Sequence, residues 1–365
     1  MNFIISYFKK FDWMLLVSSF LLVGIGLVSL YSSSLAEGSF LNFEKQIIFF
    51  VIGIFLMFLF SFLDLNIFRN NPYLILALYF ISILMLTGLF LVSETRGVQG
   101  WYKLGPVSVD PIEFLKIVLV ILLAKYFSTR HVEMYRLRHI ILSGIYVFIP
   151  SFLIFLQPDL GSVLIILSLW LLILVISGIK IKHFFLLCLL FIVVASLGWS
   201  FLLEDYQKER IMSFVNPQLE PLGASWSQRQ AKIAVGSGGI LGKGIGKGSQ
   251  TKYGFLPETH TDFIFASIGE EMGFVGILSL FSLFSFLVWR IIRIAILSEN
   301  NFFRLFTSGF AVILISQFFI HTGMNLGLLP IIGISLPLVS YGGSGLIMTF
   351  IGIGFLQNIV VRSNI

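Results

Sequence analysis

Apolar stretches about as long as a bilayer is thick recur along this chain, and they leave it few ways to fold. A spanning helix needs about 20 consecutive apolar residues, and such runs are centred near Leu22, Leu56, Ile83, Ile121, Val147, Leu167, Phe191, Leu280, Ile313 and Thr349. The pattern predicts an all-α polytopic transmembrane bundle of about ten spans, since backbone polar groups in lipid must pair within the chain. Only 12% of the residues are charged, against about 25% in a soluble domain.

The basic residues give the expected orientation. With the N-terminus in the cytoplasm, Lys9, Lys10, Arg69, Lys125, Arg130, Arg136, Arg138, Lys180, Lys182, Arg290, Arg293, Arg304 and Arg362 fall on the inner side, whereas the short outer loops hold Lys45, Arg96 and Lys103. This is the bias that sets membrane topology, and it places both termini in the cytoplasm. The first run, 13–34, exceeds the roughly 7 to 15 apolar residues of a cleavable signal peptide and is expected to stay as a helix. The whole chain, 1–365, is expected to form a single membrane domain with one long extracytoplasmic loop, 204–262, between spans seven and eight. Phe214, Trp226, Ile233, Tyr253 and Phe255 give that loop apolar anchors, so it should pack on the mouth of the bundle. The lone cysteine, Cys188, rules out an intrachain disulfide and a Cys-based metal site. The net charge of +6 reflects inner-face topology and gives no reason to expect nucleic acid.

Polar chemistry concentrates in 216–273. The run from Gly236 to Ser249 resembles a nucleotide loop, but Gly242-Lys243 and Gly246-Lys247 are each followed by glycine where a P-loop needs Ser or Thr. What remains is either a flexible turn or a backbone able to approach an anion, with Lys243, Lys247 and Lys252 at hand. Next comes Pro257-Glu258-Thr259-His260-Thr261-Asp262 at the start of the eighth span. Asp262 or Thr261 could cap that helix. Equally, Glu258, His260, Asp262, Glu270 and Glu271 cluster at one membrane entrance, where ionisable groups are expensive and serve function by default.

In the fourth span Glu113 and Lys116 are spaced to share a helix face. They form either a structural ion pair or the lining of a polar groove. Trp101 reads as an interfacial anchor, and Arg210 and Arg229 as solvated side chains that also suit bidentate phosphate contact. Around the last two spans stand Asn325, Pro330, Pro337 and Ser340-Tyr341-Gly342-Gly343-Ser344-Gly345, whose small residues favour close helix packing. His183 and His321 are isolated, with no carboxylate partners at metal-ligand spacing.

Taken together, segments 96–116, 157–162, 210–217, 230–273 and 323–345 resemble the SEDS family (shape, elongation, division and sporulation). The run from Leu256 to Phe265 and the one from Leu329 to Gly343 carry the resemblance most specifically. Within the family the chain looks most like the elongation members, given Ile331-Ile332 before Gly333 and Val235-Gly236-Ser237-Gly238-Gly239. It departs from the family pattern at Gly100, often Arg, and at Ile112, usually Ser, so no arginine stands at 100 to touch a phosphate.

The resemblance implies an inverting peptidoglycan glycosyltransferase that polymerises lipid II at the outer face of a bacterial plasma membrane. It makes Asp262 the general base, and Glu113, Glu258, His260, Thr261 and Trp101 join it as substrate-binding candidates. The leaving pyrophosphate needs cations, for which Arg210, Arg229, Lys116 and Lys243 are the candidates. No covalent cofactor is implied, and a divalent cation, Mg or Mn, can arrive with the substrate. The implied partners are lipid II, nascent lipid-linked glycan, a class B penicillin-binding protein and other membrane proteins of the elongation complex. Ser-x-x-Lys occurs three times, but its companion transpeptidase motifs do not. A flippase for lipid-linked precursors, a division or sporulation enzyme of the same family, and a non-catalytic scaffold are the competing readings.

Overall fold

The computed structural model describes residues 7–92, 100–105, 107–129, 137–201, 205–216 and 224–363. Among these residues a long helix forms over each apolar run: α1 Trp13–Glu37, α2 Leu41–Phe62, α4 Pro72–Gly88, α5 Pro111–Ser128, α6 Leu137–Phe155, α7 Leu160–Ile176, α8 Ile181–Phe201, α12 Ile264–Leu297, α13 Asn301–Leu326 and α14 Gly343–Ser363. Short α3, Asn66–Asn70, joins α2 to α4, and an antiparallel hairpin of β1, Tyr102–Leu104, and β2, Val107–Val109, precedes α5. Between α8 and α12 lie α9 Asp205–Val215, α10 Ala224–Ser237 and α11 Ser249–Lys252.

Length and composition qualify 8 helices to cross a membrane. The two long helices left out are α5, which carries Glu113, Lys116 and Lys125, and α7, which is 17 residues long. Charge decides where α5 goes, because an ionisable side chain cannot face lipid cheaply. Residues 115–124 of α5 are all buried, enclosed by α4, α7, α13 and α14. α8 is the opposite case: it is apolar, and none of its residues whose burial is described is buried. An apolar helix with no buried stripe offers every side to lipid.

Close helix contact comes from small residues, as expected where apolar burial does not distinguish a neighbour from lipid. α2 and α14 pack along their lengths, and a Cβ on Gly354 would lie 2.5 Å from the Met57 carbonyl oxygen.

At the end of the bundle where α1 begins, one aspartate ties three spans together. Asp12 Oδ1 caps α1 by accepting from the Leu15 amide at 3.0 Å. Its Oδ2 accepts from Arg290 Nε of α12 at 2.9 Å. The Asp12 backbone also exchanges two hydrogen bonds with the Gln357 side chain of α14, at 2.9 and 3.0 Å.

Near its other end α12 is broken at Gly273, whose φ of 64° and ψ of −160° are not helical. The glycine-lysine loop fills the break. Phe274 and Val275 donate amides to the Gly239 and Ile240 carbonyls at 2.9 and 3.1 Å, and Lys243 and Gly244 donate to the Glu270 and Glu271 carbonyls at 3.0 Å each. A Cβ on Gly273 would lie 2.3 Å from the Gly242 amide nitrogen, so no larger residue fits there.

Candidate active site

Asp262 sits on a tight turn immediately ahead of α12. The Thr261 and Phe263 amides both donate to the Glu258 carbonyl, at 3.1 and 3.2 Å, and Glu258 itself adopts a φ of 46°. Three successive carbonyls of this turn are then gripped by the C-terminal part of the chain. His260 O accepts from the Tyr341 amide at 2.8 Å, Thr261 O from Ser340 Oγ at 2.8 Å, and Asp262 O from Asn325 Nδ2 at 2.9 Å. The grip is itself braced: Gln46 of α2 donates to Ser340 O at 3.2 Å and accepts from the Gly342 amide at 3.3 Å. Ser340-Tyr341-Gly342 is therefore a clasp on the Asp262 turn and more than a helix-packing surface.

Capping by Asp262 or Thr261 is corrected by the geometry. The N-cap position of α12 falls to Phe263, which makes no side-chain cap bond. The Ala266 amide, one of the orphan donors of the first turn, goes instead to Asn325 Oδ1 of α13 at 3.3 Å. Beside Asp262 lies Gly333, with φ of 69°, and a Cβ there would be 3.8 Å from Asp262 Oδ2. Around the turn, Thr261 Oγ1 donates to Glu258 Oε2 at 3.3 Å, and His260 lies 3.6 Å from Glu37 and 3.8 Å from Glu258. The His260 ring also meets Tyr341 edge-on, with centroids 5.9 Å apart. Burial raises the Tyr341 phenol above its ordinary value, so it remains protonated.

A second polar group stands at the same end of the bundle. Glu113 and Lys116 pair at 2.6 Å, with Lys116 buried and Glu113 partly open. The helix ends nearby supply two further acids that the sequence reading passed over. Asp110 caps α5 through the Ile112 amide at 2.8 Å, and Asp159 caps α7 through the Ser162 amide at 3.0 Å. Lys116 acts electrostatically on both. One segment connects the two groups. Gly333 borders Asp262, while the Ile332 carbonyl lies 2.8 Å from where a Gly161 Cβ would be at the start of α7. Further along it, Ser344 Oγ accepts the Asp110 amide at 2.9 Å, and a Cβ on Gly345 would lie 3.6 Å from Glu113 Cδ.

The other candidates are dispersed. Trp101 is exposed, next to a hairpin anchored by a 2.6 Å bond from Tyr102 Oη to the Met85 carbonyl of α4. Arg229 is exposed on α10, next to Gln228, which donates to the Leu329 carbonyl at 2.8 Å. Lys243 is committed within the chain, with Nζ 2.7 Å from Glu270 Oε1 and 2.9 Å from Ser249 Oγ. The same Glu270 carboxylate takes the Gln250 amide at 3.0 Å and the Thr251 amide at 3.3 Å. The anion in this glycine-rich cradle is thus the protein's own glutamate. Arg210 belongs to α9, but its side chain lies outside the described residues, as does Arg96 entirely. Among the described residues no three His, Cys, Asp or Glu side chains stand together in a way that could hold a metal ion.

Residues 12–365 match the family model described as cell cycle protein, which covers FtsW, RodA and SpoVE. The chain belongs to this family. It is 38% identical over 283 residues to the peptidoglycan glycosyltransferase MrdB of Escherichia coli K12, covering 77% of this chain and 76% of that protein. It is 33% identical to stage V sporulation protein E of Bacillus subtilis 168, over 95% of this chain and 96% of that one. Among solved structures it superposes on a chain of a peptidoglycan synthase complex, described as coordinating polymerization and crosslinking, with a TM-score of 0.84 and 30% identity over 97% of this chain and 98% of that one. The rod shape determining protein RodA of Thermus thermophilus gives a TM-score of 0.71 at 29% identity, covering 96% and 97% of the two chains. The family member described here is a multi-pass membrane protein, as its relatives and its apolar helices agree.

Proposed function

We propose that this peptidoglycan glycosyltransferase polymerises lipid II at the outer membrane face, with Asp262 as its general base. In the reaction, the 4-hydroxyl oxygen of the acceptor disaccharide attacks the anomeric carbon of the lipid-linked donor strand. Asp262 takes the hydroxyl proton as the new bond forms. The bond from the anomeric carbon to undecaprenyl pyrophosphate breaks, with inversion, and the pyrophosphate leaves with the bonding pair. A sugar hydroxyl is a weak nucleophile at neutral pH, so a positioned proton acceptor is worth about 10² to 10⁴ in rate. The observation that carries this reading is the rigid turn, whose backbone is held at His260, Thr261 and Asp262 by two other parts of the chain, Ser340-Tyr341 and Asn325.

Departing negative charge calls for preorganised cations. Lys116, buried and paired with Glu113 at 2.6 Å, is one candidate. Arg229, exposed on α10, is a second, and Arg210 stands on the sequence reading alone. Lys243, like Lys116, is paired, with Glu270 at 2.7 Å. A divalent cation, Mg or Mn, enters on the pyrophosphate itself. An elongation role follows the likeness to MrdB and RodA, and a crosslinking partner of the class B penicillin-binding type follows the likeness to a synthase complex.

The test is polymer formation from lipid II by purified wild type, Asp262→Asn and Asp262→Ala, with and without the crosslinking partner. We expect wild type to make glycan and both variants to lose at least about 100-fold in rate while eluting and melting as folded protein. Undiminished polymer from Asp262→Ala would remove Asp262 from the mechanism. Lipid translocation without polymer would favour a flippase.

A further inference from the structure

Two residues left without a role by the sequence stand one helical turn apart on α13. Asn325 is fully buried, and each polar atom of its amide is used. Nδ2 donates to Asp262 O at 2.9 Å and to His321 O at 2.8 Å, and Oδ1 accepts from the Ala266 amide at 3.3 Å. His321 is equally buried, and its Nδ1 donates to the Ile334 carbonyl at 2.7 Å. A ring nitrogen bonded to a carbonyl must carry the proton, which fixes the tautomer and leaves Nε2 as an acceptor. That Nε2 is buried with no hydrogen-bond partner. The polar contact the ring makes is therefore the one from Nδ1.

What the two side chains hold borders one residue. Asn325 fixes the Asp262 peptide and the first turn of α12. His321 fixes Ile334, and so the adjacent Gly333, where an added Cβ would lie 3.8 Å from Asp262 Oδ2. Asn325 also supplies the helix-capping acceptor that an aspartate in this neighbourhood would otherwise provide. That amide is satisfied without calling on Asp262.

We propose that Asn325 and His321 are positioning residues for Asp262, setting its backbone and the wall beside its carboxylate from a single face of α13. This rests on Asp262 being the base. Neither side chain touches substrate in this assignment, so turnover should fall while substrate binding holds.

The test measures kcat and KM for lipid II polymerisation by the full-length protein, with Asp262→Asn as reference. Asn325→Ala and His321→Leu should each lower kcat at least about tenfold, with KM within about threefold of wild type. The discriminating variants are His321→Asn and His321→Gln. An asparagine amide nitrogen reaches nearly the place of Nδ1, whereas that of glutamine reaches toward Nε2. His321→Asn should therefore recover at least half of wild-type kcat and His321→Gln should not. A purely structural role would restore activity in step with melting temperature, whichever amide is present. The proposal is overturned if Asn325→Ala and His321→Leu keep wild-type kcat. It is also overturned if their losses disappear when all proteins are assayed at the same interval below their own melting temperatures. A fully active Asp262→Asn would instead overturn the assignment of the base, which separates the two failures.

Discussion

Gly333 shows how much of this site depends on single positions. Its φ of 69° lies where an L side chain is strained, and its Cα faces the Asp262 carboxylate. Gly333→Ala should destabilise the fold by about 1 to 2 kcal/mol, read as a fall in melting temperature. Turnover should fall more than that loss explains, because the methyl group would sit where acceptor sugar or water must reach Oδ2. At this scale the sequence was informative about side chains whose meaning is local. The Glu113–Lys116 pair was legible from three-residue spacing. Asn325 and Ser340 were noticed but not understood, since their partners are 63 and 79 positions away. Asp110 and Asp159 look like ordinary helix caps in sequence and are such caps, and only packing brings them to Lys116.

Among the elements, the spans were the most legible, because a lipid environment forces apolar runs of a set length and each run became a helix. The glycine-lysine loop was the least legible. Its composition left open a flexible turn or a backbone that approaches an anion, and the anion it holds is Glu270 of α12. That assignment is testable. Lys243→Met should loosen the loop, raising amide exchange over residues 243–252, while leaving the affinity for lipid II within about twofold. A KM rise of tenfold or more with unchanged exchange would return Lys243 to the substrate. Glu270→Gln should loosen the same amides, since four donors converge on that carboxylate from Lys243, Ser249, Gln250 and Thr251.

For the molecule as a whole, both ends of the bundle are held by ion pairs together with backbone contacts. The end bearing Asp262 has the Glu113–Lys116 and Lys243–Glu270 pairs beside its gripped carbonyls, and the other has Asp12, Arg290 and Gln357. Arg290→Met would leave a buried carboxylate without its cation, a change that costs about 3 kcal/mol when burial is complete. The thermal midpoint should drop by several degrees, and Asp12→Asn in the same chain should restore much of it. Failure of the second substitution to restore stability would show that Arg290 acts through other contacts, such as Trp289, over which it lies at 5.6 Å. None of this was visible beforehand, because Asp12 and Gln357 are 345 positions apart. The interruption of α12 at Gly273 also makes that helix two rods. The shorter one, with Asp262 just ahead of its first turn, is stitched by main-chain bonds to the neighbouring loop. A protein that leaned on that loop would thus have its hand on the lever that aims the Asp262 carboxylate.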